Sequence, residues 1–320
     1  MKSSLSHTGR GYAAAFAAAV FLSTTSILIR HLTLTYQLPP LVLAFWRALF
    51  VALTLLPVLV IARRVQVSSG LAHLRYLALY GLVLAVFNSL WTLSVALNGA
   101  AVATVLAYSS TAFTLLLGWL ILKESLTPIK LLAVVLSLAG CTLVSGAWNA
   151  AAWQANLGGI LAGIGSGLGY AAYSLMGRSA ADRGLNTWVT LLYTFAFAAL
   201  FLLSFNLLGG GVLPGAAAKP ADLGWLGTAW QGWLVLFLLA AGPTLAGFGF
   251  YNIALSHLPS SIANLVVTSE PVFTAVIAYF LFGEMLTGIQ VLGAGLILGG
   301  VAILRSFDLW QARRERLAFS

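Results

Sequence analysis

Charge is what this sequence has least of. Only 7% of its 320 residues are Asp, Glu, Lys or Arg, and only seven of those are acidic. A water-soluble domain carries roughly 25%, so too few charges exist to coat a surface facing water. The bilayer must solvate most of the chain. A single cysteine, Cys141, excludes an internal disulfide and a cysteine-based metal site. The four histidines lie at the ends of apolar segments or outside them, with no His-Glu-x-x-His pair, and no glycine-rich loop ends in Gly-Lys-Ser/Thr. Zinc hydrolysis and an ATP motor in this chain are therefore not indicated. Long alternating strands are missing too, which argues against a β-barrel.

What is present is a succession of apolar runs, together 61% hydrophobic residues by composition. Ten of them, over residues 11–29, 39–62, 74–97, 100–122, 128–147, 157–177, 187–208, 232–255, 260–282 and 287–304, approach the ~20 residues of a spanning helix. The first follows Lys2 and Arg10 and resembles a signal-peptide core. Its length exceeds the ~7–15 residues of such a core, so it reads as an uncleaved span. Pro39, Pro128 and Pro259 stand at first turns, where a missing N–H costs little, and Thr127 is a candidate N-cap.

The net charge of +9 reports topology here rather than nucleic acid. With the N-terminus inside, thirteen of the sixteen Lys and Arg residues fall on the inner side, Arg30 and Lys219 fall outside, and Arg47 is left within a span. The positive-inside rule then places both termini in the cytoplasm. The tail over residues 306–320 becomes a basic inner-surface segment.

The chain also repeats. "VATVLAYSSTAFTLLLGWLILKESLT" (102–127) aligns with "IANLVVTSEPVFTAVIAYFLFGEMLT" (262–287) at a constant offset of 160, and the match continues through Gly140 and Gly300. Two halves of five spans result, residues 1–150 and 151–305. Because five is odd, the halves enter the membrane from opposite sides, which puts Glu124 inside and its mate Glu284 outside. The expected fold is an all-α integral membrane protein of ten transmembrane helices in two inverted five-helix repeats, an architecture used for alternating access about a midplane site.

Two charges lie well inside spans. Glu270 is about ten residues into the ninth, roughly 15 Å deep, and Arg47 about eight residues into the second, roughly 12 Å from the outer surface. Charges at such depth face a cavity or a partner. One reading is a structural Arg47–Glu270 ion pair. The other has Arg47 holding a substrate carboxylate and Glu270 a substrate ammonium or a proton. The repeat mates of Glu270 and Pro271 are Ser110 and Thr111, so the scaffold does not demand either residue. Pro271 removes a helical hydrogen bond and predicts a bend. Thr104, Tyr108 and Thr111 share one face of the fourth span, and Asn264, Thr268 and Pro271 share that of the ninth. Trp46, Asn88, Trp91, Tyr251 and Asn252 complete the candidate lining. For each aromatic, packing or an interface belt is the competing reading. Gly159, Gly163 and Gly167, and likewise Gly295 and Gly299, form small-xxx-small stripes that suit close helix packing. They fit a monomer and a homodimer equally.

These features together resemble the EamA family of the drug/metabolite transporter superfamily. The resemblance rests on the two five-span halves, "FWRALF" in the second span, and the twin endings Glu124–Thr127 and Glu284–Thr287. It implies a secondary transporter in the bacterial inner membrane, often an exporter of amino acids or related metabolites. It further implies a central cavity between spans 1–4 and 6–9, with spans 5 and 10 as peripheral supports. A substrate-gated channel and a non-transporting receptor are the alternatives, and an enzyme is not expected. The small-molecule substrate and the lipid bilayer are the expected partners, with no nucleic acid and no cofactor. Whether a proton or another ion is coupled stays open.

Overall fold

The computed structural model describes residues 2–62, 67–150, 156–209, 212–282 and 287–318. Arg63, Arg64 and Glu284 lie outside them. Among these residues twelve α-helices follow one another: α1 (Lys2–Thr35), α2 (Pro40–Ala62), α3 (Leu74–Tyr108), α4 (Ser110–Leu122), α5 (Pro128–Val144), α6 (Leu157–Asp182), α7 (Thr187–Gly209), α8 (Trp230–Leu239), α9 (Leu245–His257), α10 (Ser260–Val267), α11 (Glu270–Phe282) and α12 (Gly288–Ala318). No strand occurs among the described residues. With no water in the bilayer core, the backbone must satisfy its own polar groups, and a helix does so within one segment.

Among the described residues, eight segments are long and apolar enough to cross a bilayer. They include Gly70–Val95, Val102–Leu122, Trp230–His257 and Ser260–Ile277. Helix α5 is apolar but has only 17 residues. Helix α6 has 26 residues rich in glycine, serine and tyrosine, which dilute its apolar character.

Thr127 acts as the cap the sequence suggests, accepting a hydrogen bond from Lys130 N at 3.3 Å ahead of Pro128. Asn156, not named from sequence, caps α6 through Gly159 N at 3.1 Å. Packing along α6 reveals a corner within α3. Gly177, Gly169, Gly165 and Gly158 face Tyr80, Phe87, Leu90 and Leu97 in turn, an antiparallel order. Gly163 and Gly167 face Leu106 and then Ser109, a parallel order. The chain therefore reverses between Leu97 and Val102, and α3 contains two legs.

Helices α5 and α12 pair closely. A Cβ on Gly140 would stand 2.5 Å from the Gly293 carbonyl oxygen, and one on Gly300 would stand 3.0 Å from that of Ala133. This corrects the expected glycine stripe in the tenth span: Gly295 and Gly299 meet nothing within 4 Å. The close face runs through Gly293, Ile297 and Gly300 instead. The outer faces of the pair, including Leu131, Val135, Val291 and Leu292, are exposed, as suits residues facing lipid.

Two helix lines are broken, not one. The expected bend near Pro271 is a full interruption at Thr268 and Ser269, from which α11 starts afresh at Glu270. Pro271 thus sits in a first turn, where it fits without strain. The second break falls at Ser109, between α3 and α4, where no proline stands nearby. In addition, α8 and α9 are joined by a π-helical turn, Ala240–Thr244, around Pro243.

Candidate functional site

Three layers of polar side chains lie along the line of α10 and α11. The first is at the start of α10. Lys123 adopts a left-handed conformation (φ 56°) that ends α4, while Glu124 N donates to Gly118 O at 3.0 Å. The turn aims the Glu124 carboxylate across the molecule at the N-terminus of α10. There Oε1 accepts from Ser260 N and Ser260 Oγ, both at 2.7 Å. Oε2 accepts from Ser261 N at 3.2 Å and from Ser261 Oγ. A carboxylate at a helix N-terminus satisfies orphan N–H groups and meets the positive end of the helix dipole. Gly118 makes room for it, since a Cβ there would stand 2.9 Å from Glu124 Oε2. A cleft of about 280 Å³ abuts this contact, with Ser125 and Pro259 in its wall.

One helical turn further along α10 is a buried neutral network. Ser110 Oγ donates to Asn264 Oδ1 at 3.2 Å. Asn264 Nδ2 donates to Ser174 Oγ and to the Tyr251 hydroxyl, each at 3.2 Å. Ser174 Oγ and the Tyr251 hydroxyl are 2.6 Å apart. Alongside, Asn252 Nδ2 donates to the Tyr173 hydroxyl at 2.9 Å, and the Tyr80 hydroxyl donates to Asn252 Oδ1 at 3.1 Å. Five helices, α3, α4, α6, α9 and α10, are tied together here. The rings of Tyr80, Tyr173 and Tyr251 are fully buried.

Beyond the network come the break and the charged layer. Glu270 stands in the first turn of α11, where the helix dipole favours an anion. The Tyr108 hydroxyl lies within electrostatic range of its carboxylate. Tyr170 and Cys141 also lie within electrostatic range of the carboxylate. Tyr170 stacks on Phe87, with ring centroids 5.0 Å apart. Asn88, the residue after Phe87, accepts a hydrogen bond at Oδ1 from Arg47 Nη2 and donates through Nδ2 to Leu84 O at 2.8 Å. Arg47 is buried, with 7% of its surface exposed. Among the described residues, Nη2 is the nitrogen that a protein group engages.

No Arg47–Glu270 ion pair is formed. Among the described residues, the ion pair within 4.0 Å is Arg178–Asp182 at a helix end. Arg47 has a neutral partner instead, Asn88, and the neutral Tyr108 hydroxyl is near Glu270. The other expected lining residues separate. Trp46 belongs to an aromatic cluster with Phe50 and Trp233, and its Nε1 donates to Leu223 O at 2.7 Å. It therefore ties α2 to the loop before α8. Thr104 and Trp91 are half-buried, while Thr268 is buried and turns its hydroxyl onto Leu265 O. Tyr251, Asn252 and Asn264 lie in the neutral network rather than beside the charges.

Tyr170, Ser174 and Ser110 were not singled out by sequence, nor were Ser260 and Ser261. For α6 the signal was available: Tyr170, Tyr173 and Ser174 continue the face of Gly163 and Gly167 at helical spacing. The partnership of Glu124 with Ser260 spans 136 residues, and nothing local announces it.

Comparison with known proteins agrees with this architecture. The model of the EamA-like transporter family matches residues 9–146 and 157–306. An "Uncharacterized transporter" of Archaeoglobus fulgidus is 25% identical over 298 residues, covering 92% of this chain and 95% of its own. "Uncharacterized transporter YwfM" of Bacillus subtilis is 25% identical over 277 residues, covering 86% and 88%. A solved crystal structure shares the fold with a TM-score of 0.74 at 21% identity, covering 95% of this chain and 98% of that one.

Proposed function

Because the chain belongs to the EamA-like transporter family, and is a multi-pass membrane transporter rather than an enzyme, we propose that it carries a small zwitterionic metabolite, such as an amino acid, by alternating access. The observation that carries this reading is the charged layer. Arg47, buried, and Glu270, half-buried, stand in spanning segments and are not paired with each other, and Arg47 donates to Asn88. A buried charge kept without a counter-ion calls for one from elsewhere. A substrate carboxylate suits the open edge of the Arg47 guanidinium, and a substrate ammonium suits Glu270. Tyr170 and Phe87 offer an aromatic wall between them.

The carrier is built of ten spans in two inverted halves, α5 and α6 completing the set. Three relations at the 160-residue offset support this. The breaks at Ser109 and Ser269 are mates. The close contacts Gly140–Gly293 and Ala133–Gly300 are exchanged by the offset. The endings at Thr127 and Thr287 match. Both termini lie in the cytoplasm, the membrane is the bacterial inner membrane, and the physiological direction is export. Glu124 and the neutral network close the cytoplasmic end of the path, and rocking of the halves opens it.

Thermal stabilisation by ligands tests the substrate class. A ligand at 100 times its Kd adds about 2.7 kcal/mol to the bound state. Amino acids should raise the melting temperature of the purified protein, and Arg47→Ala should abolish the shift. Stabilisation by cationic drugs alone, or a shift that survives Arg47→Ala, would contradict the assignment.

A further inference from the structure

We propose that Glu124, Gly118, Ser260 and Ser261 are the gate of the transport path at the tail-bearing end, and that this gate is stronger than its counterpart at the other end. The tail-side-closed state is then the resting state. The inference rests on the alternating-access reading above and deepens it by naming the groups that move.

The contact has the features a gate needs. It joins the two halves of the chain, the end of α4 to the start of α10, and not neighbours within one half. All four bonds converge on one carboxylate, so a single displacement of Glu124 releases them together. Bonds to a charged acceptor are stronger than neutral ones, which gives the closed state a definite bias. The contact also sits at segment ends, beside the cleft between Ser125 and Pro259. Water can therefore replace each partner after opening, and neither state leaves a buried polar group stranded. The same four bonds deep in the bundle would be a permanent staple. The neutral Ser110–Asn264–Tyr251 layer lies along α10 between this contact and the break that leads to Glu270.

The bias follows from the repeat. At the 160-residue offset the mates of Glu124, Gly118, Ser260 and Ser261 are Glu284, Ala278, Ala100 and Ala101. Both hydroxyl donors are absent from the second set. The second set also has alanine, Ala278, in the sequence position of Gly118. The opposite end therefore cannot build the same four-bond contact, and the two closed states are unequal by construction.

The test places a reporter cysteine at Thr114, in a Cys141→Ala background of the full-length protein. Thr114 is fully buried, one turn from Gly118. A membrane-impermeant maleimide is applied to the tail side in inside-out vesicles. Glu124→Gln should raise the labelling rate about tenfold, the effect of removing roughly one charge-assisted hydrogen bond's worth of bias. Ser260→Ala with Ser261→Ala keeps the charge and both backbone bonds, and should give a smaller rise. Labelling unchanged in both variants overturns the proposal, and unchanged labelling with a lowered melting temperature marks a structural staple and overturns it equally. If Glu124→Gln fails to insert, the serine pair decides alone. The labelling needs no substrate, so it separates the gate from the transport reading. Faster labelling without exchange of any substrate would sink the reading and leave the gate. Intact exchange with unchanged labelling would do the reverse.

Discussion

Ser109 and Ser269, 160 residues apart, make the same two hydrogen bonds. Ser109 donates through N and Oγ to Leu106 O at 3.2 and 2.6 Å, and Ser269 donates through N and Oγ to Val266 O at 3.1 and 2.7 Å. Each pair tightens the last turn of one helix and lets the next begin. A serine hydroxyl that competes for a backbone carbonyl is a known way to bend a helix. Since Ser109 achieves this without a proline, Pro271 accompanies the second break and does not cause it.

Replacing Pro271 with alanine should therefore leave the break in place. Alanine also fits a first turn, so the cost should be below about 1 kcal/mol, coming chiefly from the unfolded chain. Hydrogen exchange of the Thr268 and Ser269 amides, compared between Pro271→Ala and the parent, checks it. Strong new protection at those amides would mean that the proline makes the break.

The glycine contacts between α5 and α12 predict a contrast within one helix. Gly293→Leu drives a side chain against the Gly140 carbonyl and should destabilise by about 2 kcal/mol or more. Gly295→Leu and Gly299→Leu meet open space and should be nearly neutral. Thermal unfolding in detergent ranks the three. Equal losses at all of them would show that the α5–α12 pairing is wrong.

Asn264 is the hub of the neutral layer, bonded to Ser110, Ser174 and Tyr251. Asn264→Leu removes the hub and leaves those hydroxyls to find one another. The expected loss is about 1–2 kcal/mol, modest because polar groups in a membrane bundle find alternative partners. Unfolding curves of the variant measure it, and no change in stability would mean the layer is held by packing alone.

Arg47→Lys keeps the charge and gives up the planar fork. Lysine cannot both hold Asn88 and present a parallel pair of donors. Substrate KM should rise about tenfold, while the amount of inserted protein stays the same. An unaltered KM would show that Arg47 acts as a bulk charge and does not grip a carboxylate.

Much of the fold was legible because lipid imposes a strong rule: runs of about 20 apolar residues, with basic residues between them, declare their own length. The cap at Thr127 needed only local sequence. The repeat, read from identities such as Phe113 and Phe273, located Ser109 opposite Ser269 before either was known to end a helix. The site was less legible because its contacts are long-range. Depth along two spans brought Arg47 and Glu270 to a similar level, but depth says nothing about rotation around the helices. Asn88 and Tyr108 were legible as lining residues, but the pairing of Arg47 with Asn88 was not. Trp46, adjacent in sequence to Arg47, turns the other way and anchors a loop. The role of Glu124 depends on where α10 begins in space, which no local pattern encodes.

The central claim is that Arg47 and Glu270 together hold a zwitterionic substrate that crosses by exchange between two closed states. Counterflow in proteoliposomes tests it most directly: vesicles loaded with unlabelled amino acid are challenged with labelled amino acid outside. Transient accumulation of label is expected for amino acids but not for their decarboxylated amines or N-acetylated acids. It should vanish in Arg47→Ala and in Glu270→Gln, both correctly inserted. Counterflow at the parent rate in both variants would contradict the account.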